Sequence, residues 1–141
     1  MLIEKVKNIN FQTLNHHLTI VVSNDVHESR EKRGHGLPFH VPNDSIRALH
    51  STNGLGHSFI FVPHDVDEGE VVHEAYHAVW TIMKFINATH ENEIMAYTLT
   101  FIVREIYKTL NKYKQDTVPK VAKAVIKQEL KEKSKKDLTK S

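Results

Sequence analysis

Apolar residues cluster in short runs in the first half of the chain and at helical spacing in the second. Leu18 to Asp25 reads Leu-Thr-Ile-Val-Val-Ser-Asn-Asp, an apolar run closed by turn residues, and predicts a β-strand. A second run predicts a strand from His57 to Val62, stopped at Pro63. Upstream, Ile3 to Leu14 mixes short apolar segments with polar positions and fits either a strand or a short helix. Between the strands, His27 to Asp44 carries two Gly, two Pro and many charges and predicts an exposed loop, followed by a short helix over Ser45 to Ser51.

Past Pro63 the period lengthens. Val72, Ala75, Val79, Ile82, Met83 and Ile86 recur as on one helix face, with Asp65 or Asp67 as cap, a small local penalty at Gly69, and an end near Asn87. Ile94, Met95, Leu99, Ile102, Val103 and Ile106 predict a second buried helix from about Glu91 to Asn111. Pro119 is expected to break that pattern, and Val121, Val125, Ile126 and Leu130 then mark a last amphipathic helix. No internal repeat is present. The elements describe an α+β domain, two or more strands in front of a helical hairpin and a C-terminal helix, divided into residues 1–118 and a basic tail over 119–141.

Composition narrows the chemistry. At 141 residues the chain has the length of one domain with a single core. It lacks an apolar run long enough to span a bilayer, and its first residues lack the features of a signal peptide, so a cytoplasmic location without membrane association is expected. With no cysteine, thiolate metal sites and thiol nucleophiles are excluded, and any transition metal has to be held by His and carboxylate. The net charge of +2 hides an uneven distribution, −4 over residues 1–110 and +6 over 111–141. A lysine-rich end of this kind is commonly a solvated helix. Tyr113 is the one aromatic near it, and no nucleic-acid-binding motif accompanies it.

The sharpest feature is the pentapeptide His73-Glu74-Ala75-Tyr76-His77. On a helix the two imidazoles lie one turn apart and can share a zinc ion, while Glu74 stands beside them where it can activate a zinc-bound water. With 11 histidines in the chain the bare match is only moderately specific, but acidic residues in the first turn and the helical apolar pattern place it at the border of a buried face. A pair of this spacing can also be a solvent-facing or structural pair. A catalytic zinc takes a third protein ligand, and the candidates are His90, Glu91 and Glu93 on the next helix, or His57 and His64 around the second strand. Glu93 is favoured because it can point back across the hairpin. Against it, nine helical residues from His77 to Ile86 advance roughly 13 Å, which leaves the two ends out of level. Tyr97 and Arg104 are candidate helpers for the oxyanion, and the remaining histidines, His16, His17, His27, His35, His40 and His50, are read as solvent-exposed loop residues.

His73-Glu74-Ala75-Tyr76-His77 followed by Asn92-Glu93-Ile94-Met95-Ala96-Tyr97 resembles the gluzincin-type zincins, in particular the small metallopeptidase-like proteins of bacteriophage genomes, and more distantly the ImmA/IrrE-like peptidases. The resemblance covers about residues 70 to 107. It implies a small zincin-like domain acting on a peptide or protein substrate, with His73, His77 and Glu93 as Zn2+ ligands and Glu74 as general base. The competing expectation is a non-catalytic protein of the same fold that binds or inhibits a host partner.

Overall fold

A computed structural model describes residues 1–35 and 47–139. Three layers are built on one four-stranded sheet. β1 (Glu4–Phe11) is followed by a 3-10 turn at Gln12–Leu14, then β2 (His16–Ser23), α1 (Val26–Lys32), β3 (Leu49–Thr52), β4 (His57–Pro63), α2 (Glu68–Phe85) and α3 (Asn92–Thr139). The strand order is β1-β2-β4-β3, with β1 antiparallel to β2, β2 parallel to β4, and β3 antiparallel to β4. Among the described residues β1 and β3 are therefore the two edges. The architecture is α+β, as the apolar pattern indicated, and among the described residues no helix is long and apolar enough to cross a membrane.

The two central strands carry the core because side chains alternate across the pleat. Leu18, Ile20 and Val22 of β2, with Ile60 and Val62 of β4, face the helical hairpin. There they pack on Val71, Ala75, Ala78, Val79, Ile82 and Met83 of α2 and on Ile102, Ile106, Leu110 and Tyr113 of α3. Val21 and Phe61 point the other way and pack with Val26 of α1. β2 is thus covered on both faces, which is why it reads as a continuous apolar run.

Several local readings change. The stretch from His27 was expected to be a loop, but its first residues belong to α1, capped by the Asp25 side chain, which accepts from the Glu28 backbone N–H at 3.0 Å. Asp25 and Glu28 stand at the spacing of a capping box, a signal visible in the sequence. Arg33 ends α1, Gly34 and His35 follow it, and residues 36–44 of that expected loop, including His40, lie outside the described residues. Where a short helix was expected up to Ser51, Leu49–Thr52 forms the edge strand β3. The hairpin decides this: the Asn53 side chain accepts from Leu55 and His57 N–H at 2.8 and 3.2 Å and turns the chain back onto β4. Gly56 closes the turn at φ +91°, and a Cβ there would lie 3.1 Å from the Asn15 carbonyl oxygen.

α2 begins and ends where its sequence says it should. Asp67 and Glu70 form a reciprocal capping box. At the other end Asn87 adopts φ 57°, and Ala88 N–H donates to the Met83 carbonyl at 2.8 Å, a Schellman closure. α3 does not stop at Pro119. It runs 48 residues in one helix, and beyond the hairpin Val125, Ile126 and Leu130 stay exposed. The lysines, alanines and glutamates that follow the proline are good helix formers, so the local pattern resumes on its far side.

Candidate metal centre and its groove

α2 packs on one face of the sheet beside β4 and β3, and a groove opens between α2 and β3. At its first end is a cleft of about 690 Å³ whose walls include Ala48, Leu49 and His50 from the β3 side and Glu70, His73, Glu74 and His77 from α2. The helical spacing brings the Nε2 atoms of His73 and His77 to 3.1 Å. Two nitrogens bound to one tetrahedral zinc at 2.0–2.1 Å would stand roughly 3.3 Å apart, so the pair is already at the separation such an ion requires.

Glu74 projects into the same cleft from one residue further along α2 and is only 8 % exposed. Its carboxylate accepts the backbone N–H of His50. Burial pushes its pKa above the usual carboxylate range, while His73, His77 and the His50 N–H partly oppose that rise. The result is a carboxylate with raised proton affinity, oriented by a strand and adjacent to two imidazoles.

His50 was read as a solvent-exposed loop histidine and is not. It sits on β3, stacks on the His77 ring at 6.3 Å between centroids, and its Nε2 is buried without a hydrogen-bond partner among the described residues. Burial first, then the neighbouring His77 and His16, hold its pKa down to about 4, so it is a neutral imidazole at physiological pH. Nothing in its local sequence announced this. Only the hairpin brings position 50 to α2.

The structure does not bring Glu93 to the histidine pair. Glu93 lies in the first turn of α3 and lines a separate shallow pocket with Asn92, Ala96 and Tyr97. α2 continues two turns past His77 to Phe85 before the chain reverses, so the start of α3 is level with the wrong end of α2. The other candidate ligands are also elsewhere. His90 pairs with Glu91 at 3.3 Å, His57 bonds Thr19 on the α1 face of the sheet, and His64 stacks on Tyr113. Tyr97 is 74 % exposed, and neither it nor Arg104 lines the cleft. Among the described residues no group of three His, Asp or Glu side chains is placed to hold one metal ion. The donor set among the described residues thus offers zinc two ligands, His73 and His77.

The groove has charge polarity. At its first end Arg47 bridges Asp65 and Glu70, both at 3.2 Å, and fastens the start of β3 to the first turn of α2. Further along α2 a second pocket is lined by His16, Thr52, Gly54, Gly56, Thr81, Lys84 and Phe85, with Lys84 its one charged side chain among the described residues.

Comparison with protein-family models, with curated proteins and with solved structures finds no match to this chain.

Proposed function

We propose that the chain is a metal-dependent peptidase whose reaction takes place at the His73, Glu74 and His77 end of the β3–α2 groove. The observation that carries this reading is the 3.1 Å approach of the two Nε2 atoms beside a buried, strand-oriented carboxylate. Zinc held there would supply an acidified water and polarise the scissile carbonyl. Glu74 would take the proton of the attacking water on its carboxylate and pass it to the leaving amine, a role that its raised proton affinity favours. The His50 N–H keeps that carboxylate aimed into the cleft.

Peptide is the substrate class because the groove is walled by an edge strand. In an antiparallel pair alternate residues turn their backbone groups away from the partner strand, and the His50 N–H is one that does so. Its carbonyl and the backbone of Thr52 lie on the same outer edge, where an extended peptide can pair with them.

The test is metal content and peptide cleavage measured together on wild type, His77→Ala and Glu74→Gln. Wild type is expected to take up one zinc per chain and His77→Ala to lose it. Glu74→Gln should keep the metal and lose hydrolysis by roughly 10³-fold. Unchanged cleavage in Glu74→Gln would end the proposal. A second reading is a peptide-binding protein that uses the groove without hydrolysis, since the described residues bring only His73 and His77 together as metal ligands. Folded protein that rejects zinc and cleaves nothing would establish that reading instead.

A further inference from the structure

A second pocket, about 310 Å³, lies beyond the histidine pair, lined by Thr52 of β3 and by Thr81, Lys84 and Phe85 further along α2, together with His16 of β2 and Gly54 and Gly56 of the hairpin. β3 and α2 give the same separation. From His77 to Thr81 and Lys84, four to seven helical residues advance roughly 6–10 Å. From His50 to Thr52, two strand residues advance about 7 Å. An extended peptide covers that distance in two or three residues.

The lining of this pocket selects a charge. Among the described residues Lys84 is its one charged side chain and no carboxylate lines it, and the Lys84 ammonium stands 6.0 Å over the Trp80 ring. Thr52 and Thr81 add hydroxyls. His16 is 1 % exposed, uses Nε2 on the Ser58 hydroxyl at 2.9 Å, and keeps a buried Nδ1 without a hydrogen-bond partner among the described residues. Gly54 and Gly56 bring backbone, not side chains, to the wall, and the edge of the Phe85 ring closes it against Gly56. The last turn of α2 carries partial negative charge of its own, so an anion seated here depends on Lys84.

We propose that this pocket is a carboxylate-binding subsite of the peptide groove, two or three residues from the bond at the histidine pair, with Lys84 as the residue that determines specificity. The proposal rests on the peptide reading of the groove and adds its substrate class: peptides with an acidic group at that distance. The carboxylate has two sources. A peptide antiparallel to β3 would present an acidic side chain N-terminal to the cleaved bond, whereas a parallel one could present its own C-terminus.

The experiment measures binding, so that it does not depend on turnover. Blocked alanine-rich hexapeptides carrying one Glu at each position in turn, their Gln counterparts, and an all-neutral peptide with a free or amidated C-terminus are titrated calorimetrically into metal-free wild type and Lys84→Glu. The expected result is a preference of about five-fold for Glu over Gln at one position, or for the free over the amidated C-terminus, the size of one partly exposed ion pair. In Lys84→Glu the preference should vanish or invert. Equal binding of charged and neutral peptides to wild type, or a preference that survives in Lys84→Glu, would overturn the subsite. Cleavage of Glu and Gln peptides alike by zinc-loaded protein would defeat the subsite and leave the peptidase proposal standing. A Lys84-dependent preference without cleavage would do the reverse.

Discussion

The two edges of the sheet are built to opposite ends. Along β1 the α3-facing side begins with two lysines, ahead of the apolar Ile9 and Phe11: Lys5 reaches Asp116 at 2.7 Å, and Lys5 and Lys7 with Lys108 and Lys112 surround a pocket of about 310 Å³. Glu105 lines it, 8 % exposed, and pairs with Lys108 at 3.2 Å. Inward-facing charge of this kind blunts an edge against pairing. Along β3 no lysine stands guard. Glu74, also 8 % exposed, accepts the His50 N–H, and the rest of the edge faces a groove with two imidazoles at its mouth. Two equally buried glutamates flank the two edges, one matched by a cation and one by a strand N–H beside histidines. Burial alone therefore does not identify a functional carboxylate. Its partners do.

The largest expected difference between the edges is catalytic. Glu74→Gln should lower peptide hydrolysis by roughly 10³-fold, whereas Glu105→Gln should leave it within about two-fold, measured on the same zinc-loaded preparations. If both substitutions abolish activity, the contrast between the two glutamates fails.

Next in size is the anchor at the start of β1. Glu4 accepts from Ser29 at 2.7 Å and from both Arg33 terminal nitrogens at 2.7 and 2.9 Å, tying the edge strand to α1. The Arg33 hydrogen bond is the main reason its pKa falls to about 2. Because the folded value lies below the unfolded one, the stabilisation is complete above pH 4.5 and is lost as pH falls from there through about 2. Denaturant titrations should show Glu4→Gln less stable than wild type by about 2–3 kcal/mol at pH 7, with the gap closing toward pH 2.

A smaller effect is expected from Lys5→Ala. Its partner Asp116 is largely exposed, so loss of the pair should cost about 0.2–1 kcal/mol. Replacing Lys5 and Lys7 together by valine should change monomer stability by no more than about 1 kcal/mol while producing concentration-dependent association in sedimentation, since the guard on that edge is gone. A double variant that stays monomeric at high concentration would show that β1 is protected by something other than its lysines.

Much of the scaffold was legible because local chemistry and the final fold agree. The apolar run of β2 stays a central strand, and the Asp67–Glu70 capping box and Asn87 bound α2 near the predicted positions. α1 is signalled only by Asp25 and Glu28, while the glycines, prolines and charges downstream give the whole stretch the composition of a loop. β3 has four residues and no strand signature of its own, and it exists through pairing with β4. Pro119 shows the limit of a local rule, since one missing backbone donor does not end a helix whose flanks both favour it.

The histidine pair and the adjacent glutamate follow from the sequence alone, because a spacing of four on a helix fixes their relation whatever surrounds them. What surrounds them was settled by tertiary structure. Glu93 lies on a neighbouring helix and is out of reach because α2 overruns the histidines by two turns. His50 is far away along the chain, and an edge strand delivers it to the cleft. The far pocket, too, gathers residues from β2, the β3–β4 hairpin and α2. Short-range geometry is written in the spacing of residues. Which strand edge meets which helix face depends on packing the whole core, and no single segment contains that information.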